Sequence, residues 1–158
     1  MNLNLFFTPT DILLPAHADM RRWSVIACDQ FTADAGYWQA VQDTVCDAPS
    51  TLRLMLPEFY LGKCDEAAAT REIQQTMRRY LDDGVFRTVP HSLVLVQRTL
   101  PGGAVRCGVV GALDLEAYDY APDSVTPIRA TEGTVASRLP ARVRIRACLL
   151  YTSDAADE

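Results

Sequence analysis

Residues 92–98 read SLVLVQR, and after the turn-forming residues PGG at 101–103 a second apolar run extends from Ala104 to Leu115. Aliphatic and β-branched residues are typical of strands, and a proline–glycine cluster between two such runs is typical of a tight turn. The pattern predicts an antiparallel β-hairpin.

Two amphipathic helices are predicted upstream of the hairpin. Between Gly36 and Val45 the apolar residues recur at spacings of three and four, and Asp34 is suited to cap the first turn. A longer segment with the same periodicity runs from about Asp65 to Asp82 and is followed by Gly84. Glycine commonly ends a helix because it adopts a left-handed backbone conformation at no steric cost.

Shorter elements complete the predicted fold. The apolar runs at residues 23–28 and 52–56 favour two further strands, the first of which would deliver Asp29 at its end. Residues 116–140 contain several Pro, Thr and Asp residues and indicate a long ordered loop with one short helix that ends at Pro140. The expected fold class is α/β: an α+β mixed sheet with an antiparallel hairpin and two main helices, in an incomplete domain.

Composition excludes several classes of protein. The chain is 49% hydrophobic and 22% charged, as globular domains are, and no apolar run approaches the roughly 20 residues of a spanning helix. A net charge of -5 argues against broad attraction to a nucleic-acid backbone. The N-terminus lacks the basic segment of a secretory signal, which favours a cytoplasmic protein.

Neither a zinc site nor a disulfide framework is predicted. The five cysteines include no Cys-x-x-Cys pair, so we expect reduced and mostly buried thiols. The two histidines, His17 and His91, are far apart in sequence and support neither a metal site nor a catalytic triad.

The segment from Arg129 to Thr134 combines the ingredients of an anion site. Arg129 supplies a cation, Thr131 and Thr134 supply hydroxyls, and Gly133 allows close approach of backbone N–H groups. Phosphate or carboxylate would suit such a site. In the alternative interpretation Thr131 caps a short helix and Arg129 pairs with a neighbouring carboxylate.

Three arginines alternate near the end of the chain, at Arg142, Arg144 and Arg146. In a strand they would project from one face and form a positive surface on which phosphate groups could dock. The alternative is an exposed strand whose charges prevent edge pairing.

Carboxylates offer candidates for a general base. Asp114 and Glu116 would share one side of a strand end, Asp119 follows them, and Glu132 is a rival candidate. Asp29 at the end of the first predicted strand belongs with them. Surface carboxylates near strand ends are common, so the alternative is an ordinary solvated surface.

Four stretches resemble the family of domain of unknown function 1015. They are VIACDQFT at 25–32, DAPST at 47–51, DLEAYDY at 114–120, and IRATEGTV at 128–135, the last followed by Arg138, Pro140 and Arg142. The resemblance extends to Arg146.

The same resemblance indicates that the chain is the N-terminal portion of a family member. Family members continue further and typically contain an Asp-Gly-His-His-Arg motif, which has no counterpart here. Residues 1–147 would be part of one α/β domain. Residues 148–158, CLLYTSDAADE, resemble a translated sequencing adapter and would be a non-native tail; the alternative is a genuine acidic tail.

The family has a remote likeness to the ParB and sulfiredoxin-like fold, which implies two functions by analogy. The first is a nucleotide-dependent phosphotransferase, a kinase for a small hydroxyl metabolite such as free serine, using ATP and Mg²⁺. In it Arg129 and the loop 131–134 would hold phosphates while a carboxylate activates the hydroxyl.

The second function is a ParB-like nucleic-acid-binding or regulatory module without catalysis, in which the arginine series contacts phosphates. The strand residues 93–96 are aliphatic and offer no platform for base stacking, so we favour a small-molecule or nucleotide ligand over nucleic acid. The fragment alone is expected to be inactive.

Overall fold

The structure is a computed structural model that describes residues 6–129, 133 and 135–150. These residues form a mixed α/β fold with four α-helices and short paired strands, which confirms the predicted fold class. Contacts divide the chain into two units. One is built on Met1–Leu14 and Arg87–Thr134 and is called the hairpin unit; the other, built on Pro15–Phe86 and Val135–Glu158, is called the helical unit.

The helical unit contains all four α-helices of the described chain. In chain order they are α1 (Met20–Trp23), α2 (Ala35–Val45), α3 (Glu66–Asp82) and α4 (Leu139–Leu150). Two single turns of 3-10 helix, Thr51–Leu54 and Glu58–Tyr60, lie between α2 and α3, and a third, Ala136–Arg138, leads into α4.

The two predicted helices are confirmed with their caps. Asp34 accepts a hydrogen bond from the N–H of Tyr37 at the start of α2. Asp65 does the same for α3, accepting from Ala67 and Ala68 at 3.0 Å each. Each cap satisfies N–H groups that have no partner inside the helix.

The core of the helical unit forms where α2 and α3 meet the segments beside them. Trp38 and Val45 of α2 are fully buried, and Trp23 packs edge-on against Phe86 with ring centroids 5.5 Å apart. Tyr80 of α3 is also buried. The apolar face of α2 therefore belongs to the core, as its periodicity indicates.

The predicted strand at residues 23–28 is wrong. Trp23 ends α1, and its carbonyl oxygen accepts hydrogen bonds from the hydroxyls of Ser50 at 3.3 Å and Thr51 at 2.7 Å. Val25 N–H in turn donates to Thr51 Oγ1. Side-chain hydroxyls thus occupy the backbone groups that a neighbouring strand would need.

The predicted strand at residues 52–56 is also wrong. Ser50 has extended backbone angles and accepts a hydrogen bond from the N–H of Leu52, which caps the 3-10 helix Thr51–Leu54. Serine at this position favours a helical turn because its side chain supplies the missing acceptor.

The hairpin unit consists of strand pairs. Its strands are β1 (Phe7–Thr8), β2 (Thr10–Pro15), β3 (Phe86–Ser92), β4 (Val94–Thr99), β5 (Val105–Val110), β6 (Ala112–Leu113), β7 (Tyr118–Asp119) and β8 (Ile128–Arg129). β1 pairs with β6 and β4 with β5, both antiparallel, β2 pairs with β3, and β7 pairs in parallel with β8.

The predicted hairpin is confirmed as β4 and β5. The register runs from Val94 opposite Val110 to Thr99 opposite Val105. Leu100 N–H donates to the carbonyl of Ala104, and Gly103 has a φ of +81°, which glycine adopts without a steric penalty.

Two predictions for the later part of the chain are wrong. The described residues between 116 and 140 contain β7, β8, the end of the 3-10 turn Leu115–Ala117 and the 3-10 turn Ala136–Arg138, and the helix near Pro140 begins there as α4. Proline is tolerated in the first turn of a helix because its missing N–H has no acceptor there. Arg142, Arg144 and Arg146 consequently lie on a helix, not on a strand.

The cysteines are less buried than their residue type indicates. Cys28, Cys46, Cys64 and Cys107 have free thiols, as predicted, but the last three are exposed. Within the described part of the chain, no helix is long and apolar enough to cross a membrane. The assignment of residues 1–147 to one domain stays a prediction, as does that of residues 148–158 to a non-native tail; residues 151–158 lie outside the described chain.

Candidate functional site

Arg142 connects two acidic side chains of the helical unit. Its Nη2 lies 2.9 Å from Glu58 Oε1 and 3.5 Å from Asp29 Oδ2. The side chain of Glu58 is only 10% exposed, while those of Arg142 and Asp29 are 39% and 35% exposed. The three side chains form a charged cluster at the edge of the core.

Backbone contacts bring the two carboxylates together. The N–H of Glu58 donates to the carbonyl oxygen of Cys28 at 2.8 Å, which places Glu58 beside the residue that precedes Asp29. Gln30 Nε2 donates to Asp29 Oδ1 at 3.2 Å. Neither of these contacts involves α4, which contributes Arg142.

The loop that carries Asp29 is anchored to α2. Trp38 Nε1 donates to the carbonyl oxygen of Phe31 at 3.0 Å, and the Phe31 ring stacks on Tyr37 at 4.0 Å between centroids. Phe31 has a φ of +51°, an uncommon conformation for a bulky residue. Backbone strain of this kind is frequent beside functional sites.

A cavity of about 240 Å³ opens beside the charged cluster. Arg146 follows Arg142 by one helical turn, so both project from the same face of α4. The wall combines these charged groups with aliphatic side chains. Its lining residues include Asp29, Glu58, Arg142, Arg146, Leu54, Leu56, Leu61 and Ile145.

The guanidinium of Arg142 is held in its charged form. The hydrogen bond that it donates to Glu58 raises the pKa of Arg142 above its ordinary value, and this effect outweighs the opposing effect of desolvation. The negative charges of Glu58 and Asp29 add to it. Arg142 is therefore a permanent cation in this wall.

Arg144 points to a different part of the helical unit. Its Nη2 lies 3.7 Å from Glu66 Oε2 at the start of α3, and its carbonyl oxygen accepts a hydrogen bond from Gln74 Nε2 at 2.7 Å. Arg142 and Arg144 therefore do not share one face, as the predicted strand required, and their role in anion binding stays a prediction. On a helix, residues two apart face different directions, whereas on a strand they share a face.

The predicted anion segment is described only in part. Arg129 is exposed and lies in β8, opposite Asp119 of β7 in the parallel pair. Gly133 is exposed as well. Thr131, Glu132 and Thr134 lie outside the described residues, so the proposed anion site and the proposed base Glu132 stay predictions.

Asp114 and Glu116 have structural positions in the hairpin unit. Asp114 caps the 3-10 helix Leu115–Ala117, since its Oδ1 accepts the N–H of Glu116 at 3.0 Å. Both side chains are exposed. The catalytic role of Asp114 and Glu116 stays a prediction. The geometry of Asp114 shows that it caps a helical turn.

A larger concavity of about 770 Å³ lies between α2 and α3. Several polar groups in its wall are bonded to each other: Gln42 Nε2 donates to the Tyr60 hydroxyl at 2.7 Å, and Arg79 Nη2 donates to Thr76 Oγ1 at 2.8 Å. Among the described residues, no ion pair joins the charged side chains of this wall.

Sequence reasoning identified Asp29 and Arg142 but missed Glu58. The stretch Pro57-Glu58 carries no motif, and only its contact with Cys28 across the fold makes it part of the site. In the described chain, no group of three or more His, Cys, Asp or Glu side chains could hold a metal ion.

Comparison with known proteins gives one match. The family model described as "Protein of unknown function (DUF1015)" matches residues 9–153. No curated protein and no solved structure matches the chain.

Proposed function

The chain belongs to the DUF1015 family, and we propose that it binds the acceptor substrate of a nucleotide-dependent phosphotransferase, a small metabolite with a hydroxyl group. The observation that carries the proposal is the cluster of Asp29, Glu58 and Arg142 in the wall of a cavity of about 240 Å³. Aliphatic walls with a few convergent polar groups are typical of small-molecule sites.

The volume of the cavity indicates how large a ligand it can hold. Sites for drug-sized molecules measure about 300–1,000 Å³. A cavity of about 240 Å³ is below that range and suits a metabolite of few heavy atoms. We therefore assign it to the phosphoryl acceptor and not to the nucleotide.

Asp29 is the carboxylate best suited to accept the proton of the acceptor hydroxyl. Its contact with Arg142 is 3.5 Å, longer than the 2.9 Å hydrogen bond of Glu58, and its side chain is more exposed. Glu58 makes the shorter contact with Arg142. A base must reach its substrate within hydrogen-bond distance, which favours the more accessible group.

The proposed reaction is a phosphoryl transfer. A bound nucleoside triphosphate supplies the phosphoryl group. The acceptor oxygen forms a bond to phosphorus as the bond to the leaving diphosphate breaks, and the hydroxyl proton passes to Asp29. Arg142 offsets the negative charges of the two carboxylates and fixes their positions.

The proposal includes the phosphate-binding role of Arg129 that the family resemblance implies. Since the described residues contain no cluster suited to a metal ion, no step is assigned to Mg²⁺.

Nucleic-acid binding is less well supported. Arg142 contacts Asp29 and Glu58, and Arg144 contacts Glu66, so both charges are compensated within the chain. Binding to a phosphate backbone needs cations that are available to release counterions.

Phosphorus NMR on mixtures of the chain, a nucleoside triphosphate and a pool of small hydroxyl metabolites tests the proposal. We expect a new phosphate-ester resonance, lost in Asp29→Asn without a change in melting temperature. Asp82→Asn removes an exposed carboxylate of α3 and is the matched control. Transfer that is unchanged in Asp29→Asn, or an absence of both transfer and metabolite binding in the wild type, would contradict the proposal.

A further inference from the structure

We propose that Arg146 binds a carboxylate of the acceptor, so that the substrate class is a small hydroxy acid and not a neutral polyol. This inference rests on the proposed acceptor site and deepens it. It starts from the unequal surroundings of the two arginines that line the cavity, Arg142 and Arg146.

Arg142 and Arg146 are a like-charge pair one turn apart on α4. Such a pair destabilises a helix unless anions compensate it. The charge of Arg142 is compensated by Glu58 at 2.9 Å and Asp29 at 3.5 Å. Arg146 is exposed, lines the same cavity and makes no ion pair with a carboxylate in the described part of the chain.

The periodicity of α4 shows that Arg146 belongs to the cavity wall. Ala141, Arg142, Ile145 and Arg146 all line it, and these positions are the ones that recur on a single helical face. Arg144 and Val143 do not line it. Arg146 is thus directed toward the cavity by the same helix geometry that brings Arg142 to Asp29.

A carboxylate is the anion that this geometry fits. The guanidinium presents paired N–H donors that match the two oxygens of a carboxylate. Arg142 and Arg146 are four residues apart, a rise of about 6 Å along the helix. A small molecule can therefore reach Asp29 with its hydroxyl at one end and Arg146 with its carboxylate at the other.

Aliphatic groups surround the charged side chains of the cavity. Leu54, Leu61 and Ile145 line it, while Arg146 is exposed, so an ion pair between Arg146 and a bound carboxylate forms in contact with water and weakens as salt is added. A neutral polyol would gain hydrogen bonds at Asp29 but would leave the Arg146 charge without an anion.

Calorimetric titration of the chain without nucleotide tests the assignment. Glycerate and glycerol share hydroxyl groups and differ in the carboxylate. We expect glycerate to bind about two- to fivefold more tightly than glycerol, as one exposed ion pair implies. Arg146→Gln should abolish this difference, Arg146→Lys should keep part of it, and Arg71→Gln, an exposed arginine of α3, should leave it unchanged.

The outcomes separate this inference from the function on which it rests. Equal affinity for glycerate and glycerol, or a preference that survives in Arg146→Gln, would overturn the role of Arg146 and leave an acceptor site in place. Binding of neither compound by a folded chain would overturn the acceptor site itself. Circular dichroism of Arg146→Gln checks that α4 is still formed.

Discussion

Arg142 Nη2 on α4 donates a hydrogen bond of 2.9 Å to Glu58 Oε1, although 84 residues separate the two in the chain. This contact ties the last helix of the described chain to the 3-10 turn between α2 and α3. Glu58 is 10% exposed, so its carboxylate depends on the surrounding protein for much of its stabilisation.

A double-mutant cycle on this pair measures the contact. Arg142→Gln and Glu58→Gln should each lower the free energy of unfolding by about 1 kcal/mol, because a partly exposed charged hydrogen bond is lost. The double mutant should lose less than the two single losses combined, with a coupling energy of at least about 0.5 kcal/mol. Urea denaturation provides the measurement. Additive losses would mean that the two side chains do not interact in solution.

The helices were predictable from the sequence because their determinants are local. Asp34 and Asp65 stand directly before apolar residues of helical periodicity, and each side chain caps the turn that follows it. The β4–β5 hairpin is local in the same sense, since its turn residues lie between its strands. Elements of this kind depend little on the rest of the fold.

The failures have a common physical cause. The segment at Trp23 is apolar enough for a strand, but Ser50 and Thr51, 27 and 28 residues away, bind its carbonyl group. The alternating arginines are compatible with a strand as well as with a helix. Only the packing of α4 beside α3 decides between the two. Glu58 enters the site only through tertiary contacts, which no spacing rule reveals.

Tyr80→Phe tests the buried link between α3 and the Ser50 turn. The backbone N–H of Ser50 donates to the Tyr80 hydroxyl at 3.0 Å, and Ser50 is completely buried. Removing the hydroxyl leaves a buried N–H without its acceptor, so we expect a loss of about 1–3 kcal/mol. Thermal and urea unfolding measure it.

The matched control is Tyr37→Phe, which keeps the ring that stacks on Phe31 and lies in the same unit. Its effect should be within about 0.5 kcal/mol. Equal effects of the two substitutions would show that the Tyr80 hydroxyl is not the acceptor of the Ser50 N–H.

Gly111→Ala tests the packing of the hairpin unit. A Cβ atom at Gly111 would lie 2.6 Å from Leu93 Cδ2 and 2.7 Å from the backbone oxygen of Thr8. The leucine can move, but the backbone oxygen cannot move without disturbing β1. We expect a loss of about 1–3 kcal/mol, typical of overpacking.

Gly108→Ala is the control for the same substitution in β5. Nothing lies within 4 Å of a Cβ atom at Gly108, so alanine should cost no stability there. Denaturant titrations of both variants give the comparison. A Gly111→Ala protein as stable as Gly108→Ala would contradict the close approach of β1 to Gly111.

The carboxyl group of Asp119 makes a stability contribution that depends on pH. The N–H of Ala121 donates to its Oδ1 at 3.0 Å, and this bond, followed by that of the Ser124 hydroxyl, holds the pKa of Asp119 below its ordinary value of 3.8. Near and below pH 3.8 the unfolded chain therefore binds the proton more readily than the folded chain does. The contribution is fully present above that pH and is lost as the pH falls through the pKa of the folded state.

Carbon-detected NMR titration of the Asp119 carboxyl group should give a midpoint below 3.8. Asp119→Asn should lower the urea midpoint at neutral pH, and its difference from the wild type should shrink as the pH falls through the acid range. Asp123→Asn removes an equal charge from the exposed turn that follows β7 and controls for the change in net charge. A titration midpoint at or above 3.8, or a difference between wild type and Asp119→Asn that does not change with pH, would show that the Ala121 and Ser124 bonds do not favour the ionised carboxylate.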